Sequence, residues 1–201
     1  MNEEFDGAGN LYNKYESKNP IVRFLMTRFF LDLDRILCPI RTEISSALEI
    51  GCGEGYVTNH LNAIGIPVAG SDVSSRIIDT ARKKFPDCVF FTVSVYELGS
   101  LCKKYDLIVA NEVLEHLKNP DEAIENIRKI SRKYILFSVP NEPYFRLANI
   151  LRAKYVGSGG NTPGHINHWS KRKFEDLLKS HGLKIRECRT SYLWTLALCE
   201  N

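Results

Sequence analysis

Several familiar signals are missing from this chain. Its six cysteines (Cys38, Cys52, Cys88, Cys102, Cys188 and Cys199) are scattered and form no C-x-x-C pair, so they read as reduced residues of a cytosolic protein rather than a disulfide framework. Neither sign of charge dominates: 27 basic against 24 acidic residues leave +3, which gives no electrostatic reason to expect nucleic acid or a membrane surface. Long hydrophobic runs are absent too. The most apolar stretch, Ile21 to Cys38, is interrupted by Arg23, Arg28, Asp32, Asp34 and Arg35 and reads as an amphipathic helix. No secretory leader pattern opens the chain, so a cytoplasmic location is expected. There is no repeat and no low-complexity tract, and 201 residues suit one domain with a sizeable core.

What is present begins at Ala47-Leu48-Glu49-Ile50-Gly51-Cys52-Gly53-Glu54-Gly55-Tyr56, a short apolar run that ends in an acid and a glycine loop. An amphipathic helix carrying Val57, Leu61 and Ile64 follows, then a second strand, Pro67 to Ser71, ending at Asp72. A strand turning on glycines into a helix N-terminus exposes backbone N–H groups and lets a ligand approach the main chain. The acid at the tip of the second strand lies where a ribose diol would sit. The dinucleotide fingerprint G-x-G-x-x-G is not met, because Tyr56 stands at its third glycine. Glu49, just before the loop, would repel a phosphate and attract a cationic amino group.

Strand patterns at 47–51, 67–71, 88–93, 105–110 and 133–139 alternate with helix patterns at 55–64, 75–84 and 120–131. Ser74 or Ser75 can cap the second of these helices, and Asn119-Pro120 can open the third. The alternation predicts an α/β fold with a parallel sheet covered on both faces, and a ligand at the carboxyl ends of its strands. Residues 140–169 lack apolar periodicity apart from a short helix near 144–154. A helix over 171–181, capped by Ser170, and strands at 183–188 and 192–199 close the chain. One domain spanning 1–201 is expected: an arm and helix (1–45), a cofactor-binding core (46–139), a variable acceptor-side segment (140–169) and a terminal helix with a strand pair (170–201).

The loop, with an acid two residues before its first glycine and another after the second strand, resembles motif I of the class I S-adenosylmethionine (SAM) methyltransferases. Tyr105 to Leu117, which includes Asn111-Glu112-Val113-Leu114-Glu115-His116, resembles the fourth-strand motif of the type 11, ubiquinone-biosynthesis-like members. The resemblance covers about residues 45–199. It implies a Rossmann-like fold with a seven-stranded, mostly parallel sheet, an antiparallel C-terminal strand and helices on both faces. It also implies SAM over Gly51, Cys52, Gly53, Gly55 and Tyr56, with ribose on Asp72 beside Val73. Glu49, Asn111, Glu112 and Val113 would lie near the methionine part. Many relatives place an adenine-binding acid after the third strand; here Ser94 stands there, with the Val95 backbone N–H as the other option. Cys52 has the simpler reading of a small loop residue. Tyr12 and Tyr15, in the arm before the first helix, either fold over the cofactor as in relatives or belong to a frayed terminus.

Glu112, Glu115 and His116 have helical spacing, so one shared face is expected. With His168 they form a conceivable divalent-metal set, a use of E-x-x-E-H seen in 3′-end small-RNA 2′-O-methyltransferases and some quinone-pathway O-methyltransferases. The pattern also occurs in type 11 enzymes with no metal, and that reading is the one adopted. His165 and His168 are the leading general-base candidates, with Glu112 and His116 shaping the catalytic site; each loop histidine has the alternative of a local hydrogen bond. Arg146, Arg152, Lys154, Lys171, Arg172 and Lys173 are either an anion-binding group or a solvated face. Tyr144, Phe145, Tyr155 and Trp169 either line an acceptor pocket or cap the core. The expected function is methyl transfer from SAM to oxygen on a small-molecule acceptor, leaving S-adenosylhomocysteine. The alternatives are a metal-assisted RNA 2′-O-methyltransferase and a SAM-binding regulatory protein without catalysis.

Overall fold

A computed structural model describes residues 14–151 and 156–201. The elements are α1 (Pro20–Leu37), β1 (Ala47–Ile50), α2 (Tyr56–Ala63), β2 (Val68–Asp72), α3 (Ser75–Lys84), β3 (Phe90–Thr92), β4 (Tyr105–Asn111), α4 (Pro120–Ile130), β5 (Ser131–Pro140), α5 (Tyr144–Leu151), α6 (Lys171–Ser180), β6 (Lys184–Ser191) and β7 (Trp194–Glu200). Short 3₁₀ turns cover Val95–Leu101 and Leu114–His116.

The helices start where side chains can satisfy orphaned N–H groups. Asn19 Oδ1 accepts from Ile21 N at 2.9 Å ahead of α1, with Pro20 at its first position. Ser74, Asn119 and Ser170 do the same for α3, α4 and α6. The strands assemble in the order β3-β2-β1-β4-β5-β7-β6, with β7 antiparallel to both neighbours and every other pairing parallel. Along β4 the side chains alternate. Ile108 and Ala110 join a core with Phe137, Ile124, Ile127 and Phe174, whereas Leu107 and Val109 join Phe29, Leu33, Leu61 and Leu198 on the other face. Both faces are therefore covered, which is why the strands read as near-continuous apolar runs.

This order positions the site. The chain leaves β1 toward β2 on one side, while β4 pairs on the other. In open α/β sheets a ligand crevice lies at the carboxyl edge beside such a switch in strand order, which here falls between β1 and β4.

One local expectation is corrected. Glu112, Glu115 and His116 do not share a helix face: Glu112 has φ 53°, and a single 3₁₀ turn follows at Leu114–His116. The left-handed residue turns the backbone sharply, so Glu112 and Glu115 are placed by different local geometry.

Candidate active site

The crevice starts with Glu49, on β1 and only 2 % exposed. Burial raises its carboxyl to about 7, opposed by the Thr58 hydroxyl, which donates to Oε2 at 2.5 Å, and by the Asn111 amide, while the Asp72 charge adds to the rise. The Asn111 amide lies near enough to favour ionised Glu49 but lacks hydrogen-bond geometry. Among the described residues, neither its nitrogen nor its oxygen has a partner. A buried amide with both polar atoms idle costs stability unless a ligand satisfies them.

Opposite, Asp72 ends β2. Its Oδ2 accepts from Gly53 N at 3.1 Å and its Oδ1 from Ser74 N at 3.0 Å, which fixes the carboxylate while each oxygen keeps a further lone pair. Gly51, at φ 67°, is the closest approach: a Cβ there would lie 2.5 Å from Val113 Cγ2. Cys52 is buried, and burial with the Glu49 and Asp72 charges beside it raises its thiol strongly, so it stays protonated. Val73 is exposed at the rim. Ser94 Oγ accepts from Tyr96 N and so caps the turn that begins at Val95.

The arm reaches this crevice. The Tyr15 ring stacks on Tyr56, centroids 4.4 Å apart, and lies 6.1 Å from Phe30. Burial raises the Tyr15 phenol strongly, and the Glu49 charge adds to it. The Tyr56 hydroxyl hydrogen-bonds Glu16 and meets Lys84 Nζ at 2.6 Å, tying arm to α2 and α3. Tyr12 lies outside the described residues.

Beyond Asn111 the site becomes acidic and imidazole-rich. Glu112 Oε1 accepts from Trp194 Nε1 at 2.7 Å, and its Oε2 contacts the Lys14 ammonium. Glu115 is 1 % exposed, and neither carboxylate oxygen has a hydrogen-bond partner among the described residues. Burial raises it to about 8, opposed by Lys14. The loop over residues 161–169 returns to this edge because Ile166 N and Asn167 N both donate to the Glu115 carbonyl, at 2.9 and 3.1 Å. That brings His165 beside His116, ring centroids 4.8 Å apart. His116 Nδ1 donates to the Gly164 carbonyl at 3.0 Å, which leaves Nε2 with the lone pair. Burial lowers both imidazoles, His165 to about 3 with help from His116, His168 and Lys14.

Ligand atoms of Glu115, His116 and His165 all lie within 4.8 Å of one another. His168 is not in this group; its Nε2 meets Asn161 Oδ1 at 2.7 Å, and Asn161 Nδ2 in turn donates to the His165 carbonyl. The imidazole cluster is therefore built on His165, while His168 braces its loop. The basic residues separate similarly. Arg146 Nε donates to the Gly159 carbonyl at 3.1 Å and pins the loop. Lys171 and Arg172, with Tyr144, Glu142 and Tyr192, line a separate cavity of about 570 Å³. Phe145 packs near His165 and Trp169 on Phe174. Arg152, Lys154 and Tyr155 lie outside the described residues.

Two site residues escaped sequence reasoning. Lys14 carried a weak signal, its place beside Tyr15 in the arm; Trp194 carried none, since only strand pairing brings β7 to Glu112.

The fold and crevice define a class I SAM-dependent methyltransferase. A family model described as a methyltransferase domain matches residues 22–187, and the chain belongs to that family. A ubiquinone biosynthesis O-methyltransferase from Rickettsia bellii is 26 % identical over 152 residues, covering 71 % of this chain and 62 % of that protein. A protein of the same description from Pelagibacter ubique is 32 % identical over 135 residues, 65 % and 56 % of the two chains. The chain thus spans about three-fifths of the length of these relatives. In fold it is similar to magnesium protoporphyrin IX methyltransferase from Synechocystis PCC 6803 with bound S-adenosylhomocysteine, at TM-score 0.68 and 18 % identity over 92 % of this chain and 89 % of that one. It is likewise similar to the methyltransferase domain of bacterial CtHen1-CN, at TM-score 0.67 and 19 % identity over 88 % and 100 %. The cofactor is SAM. The unpartnered Asn111 amide and the buried Glu49 carboxyl are chemically compatible with an amino-acid end of such a group, and Asp72, held by Gly53 N and Ser74 N, with a diol. Among the described residues, no helix is long and apolar enough to cross a membrane.

Proposed function

We propose that this chain methylates a hydroxyl oxygen of a small molecule. SAM supplies a methyl group already activated by its sulfonium charge, so most of the rate can come from positioning. Glu49 attracts the methionine ammonium, Asp72 holds the ribose and Asn111 offers its amide to the methionine polar groups. On the acceptor side, Glu112 marks the edge, Glu115 and His165 form the wall, and His116 presents an imidazole whose tautomer the Gly164 carbonyl fixes. An imidazole lone pair there can take the hydroxyl proton as the oxygen attacks, with the His165 ring packed beside it to hold its orientation.

The observation that carries this reading is the meeting of an acid–imidazole cluster with the idle Asn111 amide at one sheet edge. The names of the relatives, O-methyltransferases of ubiquinone biosynthesis, favour oxygen as the acceptor atom. The test is transfer of labelled methyl from SAM to a panel of phenols and catechols, with small RNAs bearing 3′-terminal hydroxyls in parallel. O-methylated phenols are expected. Labelling of RNA alone would replace the reading with RNA 2′-O-methylation, and SAM binding without transfer to any acceptor would leave a regulatory protein.

A further inference from the structure

Three consecutive arm residues touch both sides of the cofactor crevice. Lys14 puts its ammonium against Glu112, the residue that follows Asn111 at the end of β4. Tyr15 stacks on Tyr56, the residue that follows the last loop glycine, with the two rings 13° from parallel. The Glu16 carboxylate accepts from the Tyr56 hydroxyl. The end of β4 and the glycine loop after β1 flank the switch in strand order, so a segment tied to both crosses the mouth between them.

The fastening on the loop side is Lys84, the last residue of α3. Its ammonium donates to Glu54 Oε2 at 2.8 Å, to the Tyr56 hydroxyl at 2.6 Å and to Glu16 Oε1 at 3.1 Å. An ammonium has three donors, and here each finds an acceptor in a different segment: the glycine loop, α2 and the arm. The Tyr56 ring adds its face, with Lys84 Nζ 4.5 Å from the centroid. The Lys84 and Glu54 side chains are 26 % and 20 % exposed, but that of Glu16 is 58 % exposed. An ion pair with so open a partner is weak, so the arm can part from Lys84 while Lys84 stays on the loop.

We propose that Lys84 is the latch of a strap: its ammonium pins residues 14–16 across the glycine loop, and SAM and its demethylated product pass only when that pin releases. Protein groups engage all three donors, so the latch adds no contact to the ligand. It favours the closed arrangement by the same factor whether the cofactor is bound or absent. Such a group changes how fast a ligand enters and leaves without changing how tightly it is held. A residue that merely supports the fold of the site would instead weaken binding when removed.

The test is surface plasmon resonance of the immobilised full chain with S-adenosylhomocysteine, which reads both rate constants with no acceptor present and so is independent of what is methylated. Lys84→Met should raise the association and dissociation rate constants together, by about three- to tenfold, with Kd held within about twofold. Glu16→Ala should do the same and add nothing on top of Lys84→Met, because both remove one fastening. Its exposed position makes it the second variant should Lys84→Met misfold by circular dichroism. Lys83→Met, at the exposed neighbouring position, should change neither rate. Wild-type rates in Lys84→Met, a loss of affinity carried by faster dissociation alone, or effects of Glu16→Ala and Lys84→Met that multiply would each overturn the proposal.

Discussion

Replacing Glu49 with Gln probes the cofactor end of the site through both pH and stability. Burial sets its carboxyl at about 7, so near neutrality the cofactor-free protein holds it only half ionised. The SAM ammonium needs the charged form. Between about pH 5.5 and pH 7, a window in which a ligand α-amino group stays protonated, the ionised fraction changes about 15-fold, or about 1.6 kcal/mol. SAM affinity should rise by that factor, and binding at about pH 6.5 should release a proton, read by titration calorimetry in two buffers of different ionisation enthalpy. Glu49→Gln should bind about 10-fold or more weakly at pH 7, with no pH slope and no proton release. Stability runs the other way. The folded carboxyl sits at about 7 against an ordinary 4.5, so the native state binds this proton more tightly than the unfolded chain does. The contribution is complete below about 4.5 and is lost as pH rises through about 7, an upper figure of about 3 kcal/mol. At pH 8 without cofactor, Glu49→Gln should therefore melt about 5 °C or more above wild type while binding SAM less well. A wild-type affinity flat across the window, or a Gln variant that keeps the slope, would refute the assignment.

Gly51→Ala should lower SAM affinity and stability together, by about 1–3 kcal/mol in melts, because its Cβ would meet Val113 in a left-handed backbone conformation. His116→Ala and His165→Ala should reduce turnover about 100-fold while leaving SAM binding within about threefold, whereas His168→Ala should act mainly through loop order and lower thermal stability; equal losses of turnover in all three would remove the distinction between cluster and brace. Phe137→Ala, at a fully buried β5 position packed on Phe174, should cost about 3–5 kcal/mol in denaturant unfolding without changing SAM stoichiometry.

The cofactor half of the site is legible in the sequence because its determinants are local. A strand, an acid, glycines and a helix within about ten residues force one turn, and Asp72 follows in the same βαβ unit. The sheet is legible for a related reason: strands covered on both faces must be short and apolar, and helices must separate parallel neighbours. The acceptor half is written differently. Glu112, Glu115 and His116 look like a helix face by spacing, but a single residue at φ 53° replaces that helix with a strand end and one 3₁₀ turn. Between His165 and His168, three residues apart, the choice rests on two backbone donors reaching the Glu115 carbonyl and on one asparagine, Asn161, that ties His168 away. Neither pairing has a sequence period. Lys14 is the extreme case, since its partner Glu112 lies about a hundred residues along the chain, and the pairing appears only when the arm is seen against the β4 edge. A shared core can thus keep the cofactor end of the site constant while the segments laid over it, the arm and the loop at 161–169, shape the acceptor side.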